Sequence, residues 1–276
     1  MRKVNSIQVI TFDLDNTLWD VGQTIRRAEK SLRQWMQDNT PSALEVYASD
    51  AVEGIRADVV ARSPSQRHDL SFLRTEVLRY CMLESGLGES QAKASAEAAF
   101  DVFFAGRNEV VFFDNALKVL NDLSQGYRLF ALTNGNADIH RVGIGQFFEG
   151  AVSSADVGAS KPDSARFSAV LTQAKVTAAE AVHIGDHLSD DILGANRAGM
   201  HSIWFNRDGA YDNDGETQPS AEVQSLSALI SPLPDCPDRR WLVTPPLDWK
   251  PDRPSPPQYH TAAGDFAWAG HAMPIA

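Results

Sequence analysis

The apolar run Val9-Ile10-Thr11-Phe12 ends in Asp13-Leu14-Asp15-Asn16-Thr17, which sets two carboxylates two residues apart at the end of a buried strand. Residues i and i+2 of a strand face the same way, so Asp13 and Asp15 project together from a sheet's carboxyl edge unless the chain turns sharply between them. In open parallel sheets the crevice beyond the strand ends is where ligands bind. Two anions there require a cation, a shared proton or a reaction. The plainer alternative is an acidic strand-to-loop turn with Asn16 as its turn former.

Three later segments repeat the pattern. Tyr127-Arg128-Leu129-Phe130-Ala131-Leu132 runs into Thr133-Asn134-Gly135-Asn136, a strand ending in a hydroxyl, an amide and free backbone N–H groups. Ser160-Lys161-Pro162 precedes a helical stretch from Asp163 to Lys175, with Phe167, Val170 and Leu171 at helical spacing. Pro162 suits a first helical position, which leaves Lys161 just outside. Ala181-Val182-His183-Ile184-Gly185-Asp186-His187-Leu188-Ser189-Asp190-Asp191 is a strand leading into an acidic turn that begins a helix. Each segment has an ordinary reading as a turn, a solvated lysine or an acidic helix cap. In order, they supply paired carboxylates, a hydroxyl with amides, a lysine and a second acidic cluster.

With this set the chain resembles the haloacid dehalogenase superfamily, through Asp13-x-Asp15-x-Thr17, Thr133, Lys161-Pro162 and Gly185-Asp186 followed by Asp191, from about Ile7 to Phe205. The resemblance implies an α/β fold, a Rossmann-like parallel sheet with helices on both faces, plus an inserted α-helical cap. It implies Asp13 as a nucleophile that forms an aspartyl-phosphate. Asp15 is then the acid and base, expected among like charges. Thr133, Asn134 and Lys161 hold phosphate. Asp13, Asp186 and the backbone carbonyl of Asp15 bind a metal, with Thr17 and Asp191 around them. Asp190 and Asp191 are adjacent, and the subsequent Ile192-Leu193-Gly194-Ala195 favours Asp191 as the last acid of the pattern. Dehalogenase members of the superfamily lack the acid at the Asp15 position, because a halide leaves without a proton.

The chemistry calls for these residue types independently. An ionised carboxylate that attacks an anionic phosphate ester needs the repulsion cancelled, and a hard divalent cation with oxygen ligands, Mg²⁺ above others, does this. The expected activity is a Mg²⁺-dependent phosphatase of small phosphorylated metabolites. The core stretches resemble a bacterial subgroup acting on flavin mononucleotide and on 5-amino-6-(5-phospho-D-ribitylamino)uracil. The alternatives are a phosphomutase of the same superfamily, or a non-catalytic binding protein using cap or tail.

Composition excludes more than it specifies. A net charge of -11 argues against nucleic acid or an anionic membrane as partner. Two cysteines, Cys81 and Cys236, form no disulfide framework, and no stretch of about 18 apolar residues occurs, so a reducing cytoplasm is the expected compartment. Nothing in the sequence specifies an oligomeric state.

After the first strand the sequence reads as helices up to about Asn108, with Ile25, Ala28, Leu32, Trp35 and Met36 on one face and further stretches over Ser42 to Arg62, Gln66 to Ser85 and Glu89 to Ala105. An insert of that size exceeds a crossover connection. Residues 1–20 and 109–230 are therefore expected to form the core and 21–108 the cap. Ten of fourteen prolines lie from Pro232 to Pro274, so 231–276 reads as an irregular tail, in which Trp241, Trp249 and Trp268 are candidates for docking. Trp19 offers a stacking surface or packs the cap hinge. His187, Arg67, His68 and Arg74 are further candidates near a cleft, whereas His140, His183 and Arg141 carry no pattern.

Overall fold

The computed structural model describes residues 7–209 and 217–230; the tail, its tryptophans and Cys236 lie outside them. Six parallel strands form one sheet: β1 (Val9–Phe12), β2 (Arg128–Thr133), β3 (Gly150–Ser153), β4 (Ala181–Gly185), β5 (His201–Phe205) and β6 (Ala221–Val223). Their order is β3-β2-β1-β4-β5-β6. The chain runs outward from β1 through β2 and β3, then returns to the other side of β1 with β4. The strand order therefore reverses at β1, which is where such sheets open a crevice. The register pairs Phe12 with Ala131 on one side and Ile184 on the other, so Asp13 emerges level with the ends of both neighbours.

Between β1 and β2 the chain forms α1 (Val21–Asn39), α2 (Pro41–Tyr47), α3 (Ala51–Arg62), α4 (Leu70–Glu84) and α5 (Glu89–Arg107), which bury a cluster of their own around Leu32, Met36, Leu78, Met82 and Phe103. The predicted face of the first helix is observed, with Ala28, Leu32 and Met36 buried and Ile25 and Trp35 packed at its margin. The expected helix from Ser42 to Arg62 is instead two, α2 and α3. Ser49 breaks it: its hydroxyl donates to the Val46 carbonyl at 2.8 Å and accepts from Ala51 N at 3.3 Å, competing with helical bonds. Likewise α4 begins four residues later than predicted, where Asp69 caps it by accepting from Phe72 N at 2.9 Å.

The two connections to these helices lie against each other. Trp19 bridges to Phe112, and Phe113 N donates to the Leu18 carbonyl at 2.9 Å. Arg27 adds a bond to the Glu109 carbonyl at 2.8 Å. Among the described residues no helix is long and apolar enough to cross a membrane.

Alternation along the strands builds a core on each face of the sheet. Ile10, Phe12, Leu129, Ala131, Val182 and Ile184 face one way, against Val119, Leu120 and Leu123 of α6 (Ala116–Ser124). After β3 a single turn, α7 (Ser154–Val157), leads toward α8 (Ser164–Ala174). Phe167, Val170 and Ala174 of α8 cover the other face, against Val9, Phe130, Leu132 and Ala181. Each such fully buried large apolar side chain contributes about 1.5–3 kcal/mol relative to exposure. Two short strands, β3 and β6, are not expected from the sequence; each buries a single side chain, Val152 and Val223, which leaves no apolar run to read.

Candidate active site

The sheet delivers Asp13 from β1, Thr133 from β2 and Asp186 from β4 to one edge. Asp13 N donates to the Ile184 carbonyl at 2.8 Å, so the residue still belongs to the ladder and its carboxylate is held at the strand end. Asn16, at φ 58°, then turns the chain, and its N–H bonds back to the Trp19 carbonyl at 2.7 Å. This turn separates the two predicted carboxylates. Asp13 points into a buried acidic centre, whereas Asp15 is held apart by Trp19 Nε1 at 2.9 Å on Oδ1 and Arg107 Nη2 at 2.6 Å on Oδ2. The expectation of like charges around Asp15 is thus corrected: its immediate partners are a guanidinium and an indole N–H.

Lys161 Nζ joins the acidic centre, donating to Asp13 Oδ1 and Asp191 Oδ1 at 2.6 Å each. Its backbone is fixed from β2. Asn134 Oδ1 accepts from Lys161 N at 2.7 Å, and Asn134 Nδ2 donates to the Lys161 carbonyl at 3.1 Å. The Asn134 side chain is therefore occupied in placing Lys161. Pro162 is not the first helical residue as predicted. Asp163 caps α8 by accepting from Ala165 N at 2.8 Å, so Pro162 lies outside the helix.

Of the two adjacent acids, Asp191 enters the site. A π-helical turn over Leu188–Leu193 carries its carboxylate back over Gly185, where a Cβ would collide with it. Asp191 Oδ2 accepts from His187 N at 3.0 Å, and Oδ1 is shared by Lys161 and His183 Nε2, the latter at 3.0 Å. Asp190 stays at the rim, its N–H bonded to His187 Nδ1 at 3.1 Å, which makes His187 a helix-start cap. Thr17 is buried and donates to Asp186 Oδ1 at 3.3 Å. Thr133 accepts from Gly135 N at 3.0 Å.

Among the described residues, Asp13, Asp186 and Asp191 form the one group whose ligand atoms lie within 4.8 Å of one another. Burial raises the Asp13 carboxyl well above its ordinary value; Lys161 opposes this, and Asp191 and Asp186 add to it. Burial, then Asp191, push Asp186 up to about 7. For Asp191 burial acts the same way, but Lys161 and His183 outweigh it and hold the carboxyl low. Burial works against the charge on Lys161, and its two carboxylate partners more than compensate. Three acids around one lysine make a hard-oxygen centre in which Asp13 and Asp186 are harder to ionise than an ordinary carboxyl.

Three contributors carried no usable sequence signal. His183 sits fully buried in β4, kept neutral chiefly by burial, between Thr11 Oγ1 at 2.7 Å and Asp191. A neutral ring that donates from Nε2 to the carboxylate must accept at Nδ1 from Thr11. Arg166 of α8 donates to the carbonyls of Thr133 and Val152 at 2.6 and 2.9 Å, fastening the ends of β2 and β3. Arg107 arrives from the last turn of α5. Trp19 is buried, edge-on to Phe112 at 5.8 Å, and so packs where the helices join the core. His68 reaches the rim through Ser160 Oγ at 2.9 Å, with Arg67 behind it, whereas Arg74 turns inward to Glu29 and the Phe103 ring.

The chain has relatives among known proteins. The chain is 31% identical over 233 residues to the 5-amino-6-(5-phospho-D-ribitylamino)uracil phosphatase YigB of Escherichia coli, covering 83% of this chain and 98% of that protein. It is 30% identical over 216 residues to a phosphoserine phosphatase of Thermus thermophilus, covering 74% and 82%. Among solved structures, a 2-haloacid dehalogenase from Pseudomonas syringae pv. tomato shares 40% identity with a TM-score of 0.76, covering 81% of this chain and 96% of that one. A model of haloacid dehalogenase-like hydrolases matches residues 7–199, the stretch that contributes Asp13, Thr133, Lys161, Asp186 and Asp191. The chain therefore belongs to the haloacid dehalogenase-like hydrolases.

Proposed function

We propose that this hydrolase is a Mg²⁺-dependent phosphatase of small phosphorylated metabolites, with flavin mononucleotide and 5-amino-6-(5-phospho-D-ribitylamino)uracil as the first substrates to test. The observation that carries the reading is the meeting of Asp13, Asp186 and Asp191 around Lys161 at the end of β1, with Asp15, two residues beyond Asp13, fixed separately by Trp19 and Arg107. The donor set fits a hard divalent cation, since its ligand atoms are all oxygens and its acids outnumber the one lysine among them. Asp13, Asp186 and the Asp15 carbonyl would hold it. Both oxygens of Asp191 already accept bonds, so this residue would steady the others. Bound Mg²⁺ supplies charge neutralisation between carboxylate and phosphoryl oxygens.

Lys161 grips Asp13 Oδ1, and the second oxygen attacks phosphorus while the bond to the leaving oxygen breaks. Asp15 gives that oxygen its proton, then takes one from the water that hydrolyses the aspartyl-phosphate, so ester and water become alcohol and inorganic phosphate. Lys161 and the N–H groups after Thr133 stabilise the transferring group. The helices over 21–108 act as a lid that excludes water and selects the substrate. A cytoplasmic setting, with no nucleic acid or membrane partner, completes the proposal.

Dehalogenation is the second reading, favoured by the name of the 40%-identical structure. Against it stands Asp15, since a halide needs no proton. Phosphate release from p-nitrophenyl phosphate and a metabolite panel, beside chloride release from 2-chloropropionate, tests both. Asp13→Asn must abolish turnover; phosphate release that persists in it sinks the nucleophile assignment.

A further inference from the structure

Arg107 is a deeply buried cation that no motif announces. It stands at the end of α5, 1% exposed, and its Nη1 has no hydrogen-bond partner among the described residues. Burying a guanidinium with an unsatisfied N–H is costly, so the position calls for a reason. Its other atoms supply one. Nη2 lies 2.6 Å from Asp15 Oδ2, and Nε lies 3.3 Å from Asn136 Oδ1. Asn136 in turn donates through Nδ2 to Ser71 Oγ of α4 at 3.1 Å. The loop after β2 makes room for this: a Cβ on Gly135 would strike both the Asp15 carboxylate and Arg107 Nη2.

Resting on the reading of Asp15 as proton donor, we propose that Arg107 is a positioning residue. It aims the Asp15 carboxylate at the leaving oxygen and makes that aim depend on α4 and α5 being seated on the loop after β2. Each oxygen of Asp15 has one fixed donor. Trp19 is local, four residues away, and sets the side chain's root. Arg107 comes from 92 residues away and sets its direction. A lysine at this position would keep the charge but lose the planar fork that reaches Asp15 and Asn136 together.

The proton moves from the Asp15 carboxyl to the leaving oxygen as the phosphorus–oxygen bond breaks. A poor leaving group such as an alkoxide depends on that transfer, whereas p-nitrophenolate leaves without help. The test compares kcat/KM on 2-glycerophosphate with kcat/KM on p-nitrophenyl phosphate, which covers only the steps up to departure of the leaving group, for wild type, Asp15→Asn, Arg107→Met and Arg107→Lys, with circular dichroism confirming the fold. Asp15→Asn sets the reference selectivity. The expected result is that both Arg107 variants lose about tenfold or more in the alkyl to aryl ratio. If Asp15→Asn shifts the ratio and neither folded Arg107 variant does, Arg107 is a structural tie and the inference is overturned while the function stands. If Asp15→Asn leaves the ratio unchanged, the proton-donor reading itself fails. Should Arg107→Met not fold, Arg107→Lys decides alone.

Discussion

Asn134 and Lys161 hold each other through a reciprocal pair of hydrogen bonds, the side-chain amide of one closing on the backbone N–H and carbonyl of the other at 2.7 and 3.1 Å. An amide from the end of β2 thereby sets the position of an ammonium group that must sit between two carboxylates. Asn134→Ala is expected to lower kcat by about 100-fold, because misplacing a catalytic group by an ångström has that effect. KM should change little. Steady-state kinetics on p-nitrophenyl phosphate check this, and an unchanged kcat would show that Lys161 needs no such clamp.

Lys161 places one ammonium group against both Asp13 and Asp191. Removing one partner from a buried pair leaves the others uncompensated, at about 3–5 kcal/mol. Lys161→Met should therefore lose about that much stability in chelator, measured by urea unfolding. Added Mg²⁺ should recover part of it if the remaining acids bind the ion.

The acids also give a pH signature. Asp186 titrates near its ordinary value of about 3.9 when unfolded and at about 7 when folded. Between these values the folded chain keeps a proton that the unfolded chain has released. Its contribution thus favours the folded state at low pH and is lost as pH rises from about 4 to about 7. Asp191, shifted the opposite way, acts only at far lower pH. A divalent ion must displace the Asp186 proton, so its affinity should fall as pH drops below about 7. Thermal melts with and without Mg²⁺ at pH 5.5 and 8 test the prediction; a larger Mg²⁺ stabilisation at pH 5.5 would contradict it.

Gly106 marks a close approach of α5 to α1, since a Cβ there would stand 2.9 Å from the Ala28 Cα. Backbone cannot yield as a side-chain tip can. Gly106→Ala should destabilise the protein by about 1–3 kcal/mol through overpacking, seen as a lower melting temperature.

The residues legible in the sequence are those whose position derives from local pattern. Asp13 and Asp186 each terminate a short apolar run, and the parallel sheet does the rest by placing β1 between β2 and β4. The family resemblance favours Asp191 over Asp190 through the subsequent Ile192-Leu193-Gly194-Ala195, but the route of Asp191 into the site depends on a π-helical turn over a glycine, which no local pattern encodes. Arg107 and Arg166 are invisible at that level. Each is an arginine in a helical stretch, and only tertiary packing decides that its head group turns inward. His183 leaves a fainter trace, a titratable ring in the middle of a strand that is buried throughout. Periodicity overstates the length of the second helix, because a single serine hydroxyl competes successfully with the helical ladder, an effect of order one hydrogen bond.

The paired crossing of Leu18 and Trp19 with Phe112 and Phe113 has an evolutionary consequence. Everything between these two points is a detour that starts and finishes at one place, so its helices can be lengthened, reshuffled or exchanged without altering the spacing of the sheet. A lineage could exchange these helices and keep the sheet, with the contact between Arg107 and Asp15 as one tie that a replacement would have to remake.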